Sequence, residues 1–258
     1  MAYNNFSLNT WTAVLVGNFC SAGSVNITSN LFNESTWDAV EVVSCWQTEA
    51  PMRNVYFGHN KFLHNNRLGL VISPIVSMTS LIEHNLFRYH RLGCLWLRNP
   101  DALELESLAS DVTVSNNRFE FNSGSFVVNL GLSQYGESQR MLFTRNWIKR
   151  NAIRQSFPTL HPRSRVAAVV VIGSSNVNVT RNMIDNPDSA FEIGSQLEDH
   201  SRQIFCIRNW LGARVEKEIF YRIFDRKDRY NLAQVRDPSI SATKSVQNID
   251  GVDCFDTR

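Results

Sequence analysis

Short runs in which Val, Ile and Phe alternate with polar residues recur along this chain. Each leads into an asparagine, then another apolar residue, and often a second asparagine. The clearest copies read Val55, Phe57, Asn60, Phe62, Asn65 and Val112, Val114, Asn117, Phe119, Asn122. Looser copies are Val25, Ile27, Asn30, Phe32; Ile82, Asn85, Phe87; and Met141, Phe143, Asn146, Ile148, Asn151. Val177, Val179, Asn182, Ile184 and Ile204, Cys206, Asn209, Leu211 follow, and Asn4, Phe6, Asn9 form a truncated first copy. Alternation of this kind marks a half-buried β-strand.

The first asparagines of the copies, Asn4, Asn30, Asn60, Asn85, Asn117, Asn146, Asn182 and Asn209, are 26, 30, 25, 32, 29, 36 and 27 residues apart. A period of that size predicts a stacked array. Behind each copy lies a second β-rich run, at 13–16, 39–43, 68–72, 94–97, 126–130, 166–172 and 190–193, so each coil supplies at least two strands. Between them the sequence varies in length and is rich in Ser, Pro, Gly and charge, as surface loops are. Leucine-rich repeats are shorter and dominated by leucine, and propeller blades need about forty residues. The pattern therefore predicts an all-β, right-handed parallel β-helix of about eight coils over residues 1–238, with 239–258 as a cap or linker.

In such a rod, equivalent side chains of successive coils form ladders. The eight asparagines are expected to point inward and hold the turns, because a short amide can accept from one backbone group and donate to the next coil. They are structural and not catalytic.

Composition changes this picture little. Hydrophobic residues make up 43% and charged residues 19%, enough for a continuous core. The net charge of +2 lacks the basic balance of a nucleic-acid binder, so no nucleic-acid partner is expected. The first ten residues do not resemble a signal peptide, and no apolar run is long enough to span a membrane. Asn-x-Ser/Thr triplets at Asn5, Asn26, Asn33 and Asn178 are candidate glycosylation sites. They point to an extracellular fragment of a longer protein, with Asn26 and Asn178 both four places before a ladder asparagine, an outward position. Five cysteines form an odd set. Cys20 and Cys45 follow their ladder asparagines by 16 and 15 residues, which would stack them within disulfide reach; pairing and free thiols both remain open. Cys206 takes a core position, and no Cys-x-x-Cys spacing is present.

An enzyme of this architecture would need paired carboxylates or calcium-binding acids beside a base. The acids cluster instead in loop-like or tail sequence, at 104–106, 198–199 and 225–228. No catalytic residue, metal or cofactor is expected. His59 and His84 precede ladder asparagines in adjacent coils and read as a surface row. The same outward row ends in Arg145, Arg181 and Arg208, and the position after the asparagine adds Trp147, Met183 and Trp210. Arg and Trp concentrate binding energy at interfaces, so Arg145, Arg181, Arg208, Trp147 and Trp210 form the candidate partner face, for an acidic protein surface or an anionic glycan.

The N-x-F-x-x-N coils together with residues 218–236, EIFYRIFDRKDRYNLAQVR, resemble the β-helix segments of the bark beetle (Anakonda) family. In the tail, Ile219, Tyr221 and Ile223 read as a strand-like run. The resemblance implies a non-catalytic ectodomain segment of a membrane protein of arthropod epithelia, in arrays that organise tricellular and septate junctions. Its implied partners are other junction or cell-surface proteins, or its own kind. Membrane attachment would come only through parts outside this sequence. The alternative is a carbohydrate-active or carbohydrate-binding β-helix protein.

Overall fold

A computed structural model describes residues 1–19, 23–44, 54–73, 79–97, 110–131, 139–154, 166–172, 177–189, 191–196, 204–212, 218 and 221–224. Three parallel sheets wind around one core. The V-x-I runs form a first sheet of seven strands: Ser24–Thr28, Asn54–Gly58, Thr79–Glu83, Ser110–Ser115, Gln139–Thr144, Val177–Thr180 and Ile204–Ile207. The x-F-x triplets form a second sheet, also of seven: Asn5–Ser7, Leu31–Asn33, Lys61–Leu63, Leu86–Arg88, Arg118–Glu120, Trp147–Lys149 and Met183–Asp185. The β-rich runs form a third sheet of eight, from Val14–Phe19 to Ile223–Phe224. Strands spaced about 4.8 Å apart make this a rod of about 35 Å. Among the described residues, six coils contribute to all three sheets and a partial coil lies at each end, so the expected eight counts both partial coils.

Each coil has three strands because its motif bends at the first asparagine. The residues before the ladder asparagines, Tyr3, Ser29, His59, His84, Asn116, Arg145, Arg181 and Arg208, all have φ between +55 and +59°. A left-handed backbone costs a non-glycine residue about 1–2 kcal/mol. The asparagine ladder offsets it. Asn60 Oδ1 accepts from the Asn30 backbone N–H at 3.0 Å and Asn30 Nδ2 at 3.1 Å. Its own Nδ2 donates to the Ile27 carbonyl at 2.8 Å and to Asn85 Oδ1 at 3.0 Å. Side-chain acceptance of the preceding asparagine's N–H runs unbroken from Asn4 to Asn209.

A second left-handed corner follows the first six x-F-x triplets, at Leu8, Glu34, His64, Tyr89, Phe121 and Arg150. Here too a ladder holds the turn: Ser35 N–H donates to Asn65 Oδ1, His90 to Asn122, Asn122 to Asn151 and Asn151 to Asn186. Asn186 ends it by donating its N–H and Nδ2 to the two oxygens of buried Glu192, at 2.7 Å each. Burial pushes the Glu192 carboxyl up to about 7, against the pull of the Asn186 donors and of Arg222.

Between the ladders lies the core. Phe6, Phe32, Phe62, Phe87 and Phe119 stack with successive centroids 4.6–5.1 Å apart, and Ile148 and Ile184 continue the row in register. Ile27, Phe57, Ile82, Val114, Phe143, Val179 and Cys206 form a parallel buried column.

His90 stands where other coils place the second asparagine. Its Nε2 lies 3.1 Å from the Phe62 carbonyl, so Nε2 carries the hydrogen, and Nδ1 is buried without a partner. Burial lowers its pKa from 6.5 to about 3. A depressed histidine pKa leaves stability intact above pH 6.5 and removes it as pH falls towards 3, by about 2 kcal/mol at pH 5. His90→Asn would present an amide oxygen to the preceding rung and cannot ionise. Urea titrations should show the variant more stable than wild type at pH 7.5, with a larger gap at pH 5; a gap that closes on acidification refutes this.

The tail departs from expectation. Glu218 and Tyr221 take helical backbone, and the strand starts only at Ile223, which pairs with Ile193. The helical turn brings Arg222 Nη1 to 2.8 Å from Glu192 Oε1. Residues 225–258, including the expected boundary at 238 and the cap or linker, lie outside the described residues.

Candidate binding face

Alternation along the second sheet turns two rows of side chains outward. Directly after the ladder asparagines come Asn5, Leu31, Lys61, Leu86, Arg118, Trp147 and Met183, in register, with Trp210 bridging to Met183. Two residues further on come Ser7, Asn33, Leu63, Arg88, Glu120, Lys149 and Asp185. In the third sheet the outward residues Val71, Asn129 and Val170 are themselves buried, while Leu15 in the first strand of that sheet is exposed. The second sheet is the more open face.

The structure brings the candidate partner residues to one end of this face. Trp147 and Trp210 are 40% and 42% exposed, too much for core tryptophans. Arg145, Arg181 and Arg208 are exposed along the bounding corner on consecutive coils, where the Arg145 and Arg181 N–H groups donate to the Thr180 and Ile207 carbonyls. Lower on that corner the His59 and His84 rings stack at 5.0 Å. Among the described residues no group of three His, Cys, Asp or Glu side chains could hold a metal ion.

The opposite corner escaped the sequence reading. There His64, Tyr89 and Phe121 stack at 4.6 and 5.6 Å, and the Arg150 guanidinium lies 5.8 Å from the Phe121 centroid. The available signal was the residue before each second asparagine, the counterpart of the row that holds Arg145. Between this corner and the outward rows lies a cleft of about 520 Å³ lined by Arg88, Arg118, Phe121, Trp147, Lys149 and Arg150, with Glu120 and Asp185 among them. Lys149 Nζ sits 4.2 Å over the Trp147 ring. Arg118 Nη2 donates to Glu120 Oε1 at 2.7 Å, and Arg88 Nε to Glu120 Oε2 at 2.8 Å. Burial alone would raise the Glu120 carboxyl, but the two guanidinium groups outweigh it and hold the pKa below the ordinary value. Lys149 and Arg150 make no ion pair with any described residue.

Of the glycosylation candidates, Asn5 and Asn26 are exposed and Asn33 and Asn178 half-buried. Asn33 Nδ2 donates to Glu34 Oε1 at 2.8 Å. Cys20 and Cys45 lie outside the described residues. Cys94 and Cys206 are buried free thiols, and burial pushes Cys94 well above the ordinary thiol range.

Comparison with known proteins agrees with this architecture. The family described as "Right handed beta helix region" matches residues 1–210. The chain is 41% identical over 252 residues to Protein bark beetle of Drosophila melanogaster, covering 90% of this chain and 8% of that protein's length. The resemblance carried by the N-x-F-x-x-N coils therefore holds. No solved structure matches the chain. With four-fifths of its length matched and its three parallel sheets stacked coil on coil, the chain belongs to the right-handed β-helix family.

Proposed function

We propose that this segment is a non-catalytic extracellular scaffold of a cell-junction protein, docking other junction or cell-surface proteins, or copies of itself, through its second sheet. One observation carries the reading: Trp147 and Trp210 stand half exposed in register beside the exposed Arg145, Arg181 and Arg208. Large rigid aromatic and guanidinium groups supply most of the energy at protein interfaces. A rod braced by two internal ladders holds them at fixed spacing, which lowers the entropy lost on docking. The similarity to Protein bark beetle and the junction role implied by that family point the same way.

The test uses beads coated with the protein, mixed with epithelial cells and with one another. Replacing Arg145, Arg181 and Arg208 together by alanine should weaken capture at least about tenfold, or about 1.4 kcal/mol. All three side chains are exposed, so the melting curve should not move. Capture equal to wild type would sink the proposal.

A further inference from the structure

We infer that the cleft between Arg88, Arg118, Phe121, Trp147, Lys149 and Arg150 is a binding site for an anionic saccharide. This inference goes beyond protein docking and does not depend on it.

The cleft volume of about 520 Å³ falls in the usual range for small-ligand sites. Its charges are mixed in a particular way. Glu120 consumes Arg88 and Arg118, which fixes both guanidinium groups in place. Lys149 and Arg150 are left as cations with no described ion-pair partner, yet each is held against an aromatic ring, Trp147 and Phe121 respectively. Two positioned cations beside two fixed guanidinium groups can bind a carboxylate or sulfate, with Arg150 offering the planar fork that suits carboxylate.

The other lining groups say which anion. A purely acidic peptide would meet repulsion from Asp185 and from the Glu120 side of the cleft. A sugar needs those acceptors, because each hydroxyl both donates and accepts. The half-exposed Trp147, 40% accessible, provides apolar surface for the C–H groups of a pyranose ring. Stacking along the rod also turns the edge of Phe121 outward, since Tyr89 lies against its face at 5.6 Å. Ring edges carry the positive end of the aromatic quadrupole and favour an anion. Donors, acceptors, apolar ring surface and excess positive charge coincide here within one cleft.

Isothermal titration of the protein with a heparin-derived octasaccharide, neutral maltooctaose and poly-glutamate tests the inference. The octasaccharide should bind, with affinity falling as salt rises, and maltooctaose should not. Lys149→Ala with Arg150→Ala should weaken binding at least tenfold, and Trp147→Ala several-fold, with melting curves unchanged. Lys61→Ala, which removes one exposed cation from the same sheet outside the cleft, should bind within twofold of wild type. Three outcomes overturn the inference: no octasaccharide binding, cleft variants that bind like wild type, or poly-glutamate bound as tightly as the octasaccharide. The last would make this an acidic-peptide site.

Discussion

Asn117→Leu should destabilise the protein by about 2–6 kcal/mol, although leucine has the same branched shape as asparagine. The cost lies in the hydrogen bonds. Asn117 Oδ1 accepts the Asn85 N–H and Nδ2 at 2.9 and 3.0 Å, and Asn117 Nδ2 donates to the Ile82 carbonyl at 2.9 Å and Asn146 Oδ1 at 3.1 Å. Leucine removes all four bonds, and Asn117 is only 1% exposed, so water cannot replace them. Two groups, the Asn85 N–H and the Ile82 carbonyl, lose these partners outright, at about 1–3 kcal/mol each, whereas Asn85 Nδ2 keeps the Phe57 and Glu83 carbonyls. The neighbouring Asn116→Gly makes the control. Asn116 is half-buried at φ +55°, a conformation glycine adopts without strain, so that variant should melt near wild type. Urea midpoints of the two variants decide the matter. A midpoint for Asn117→Leu within the error of wild type would mean that the ladder does not hold the turn.

The ladder was legible in the sequence because asparagine is the residue that fills such a place, and its recurrence about every thirty residues marks the period. The Val, Ile and Phe columns were legible for the same reason, since side chains stacked in register demand like residues. The corners were not. A left-handed backbone usually announces itself by glycine or asparagine, but here it falls on His59, Arg145, Tyr89 and Phe121, residues chosen for what they present outward. A turn at each ladder asparagine was expected, but that it divides the motif into two strands, giving each coil a third, stayed hidden. The second ladder was obscured because Ser35 and His90 replace asparagine in two coils and Glu192 caps the end from another strand. The cleft was hidden for a topological reason. Arg88, Glu120, Lys149 and Asp185 are neighbours only through parallel pairing of strands about thirty residues apart, and each alone looks like an ordinary surface charge. The tail misled because alternating Ile219, Tyr221 and Ile223 fits a strand, whereas tertiary contact between Arg222 and Glu192 favours a helical turn first.

The aromatic column gives a second large effect, and it separates stacking from simple burial. Phe87 is fully buried, with its ring 4.6 Å from Phe62 at an interplanar angle of 3°, and 4.8 Å from Phe119 at 9°. Phe87→Ala should cost about 3–5 kcal/mol, because parallel strands on either side hold the coil at fixed spacing and the cavity cannot collapse. Phe87→Leu fills most of that volume, and the fold already accepts aliphatic residues in this column at Ile148 and Ile184. What leucine loses is the two stacked pairs, each contributing about 0.5–1.5 kcal/mol beyond burial. The expected order in urea midpoints is wild type, then Leu, then Ala, with Leu nearer wild type. If Leu fell as far as Ala, the rings would be contributing mainly through stacking. If Ala fell no further than Leu, the coil would be relaxing into the cavity, and the rod would lack the stiffness that a fixed-spacing binding face requires.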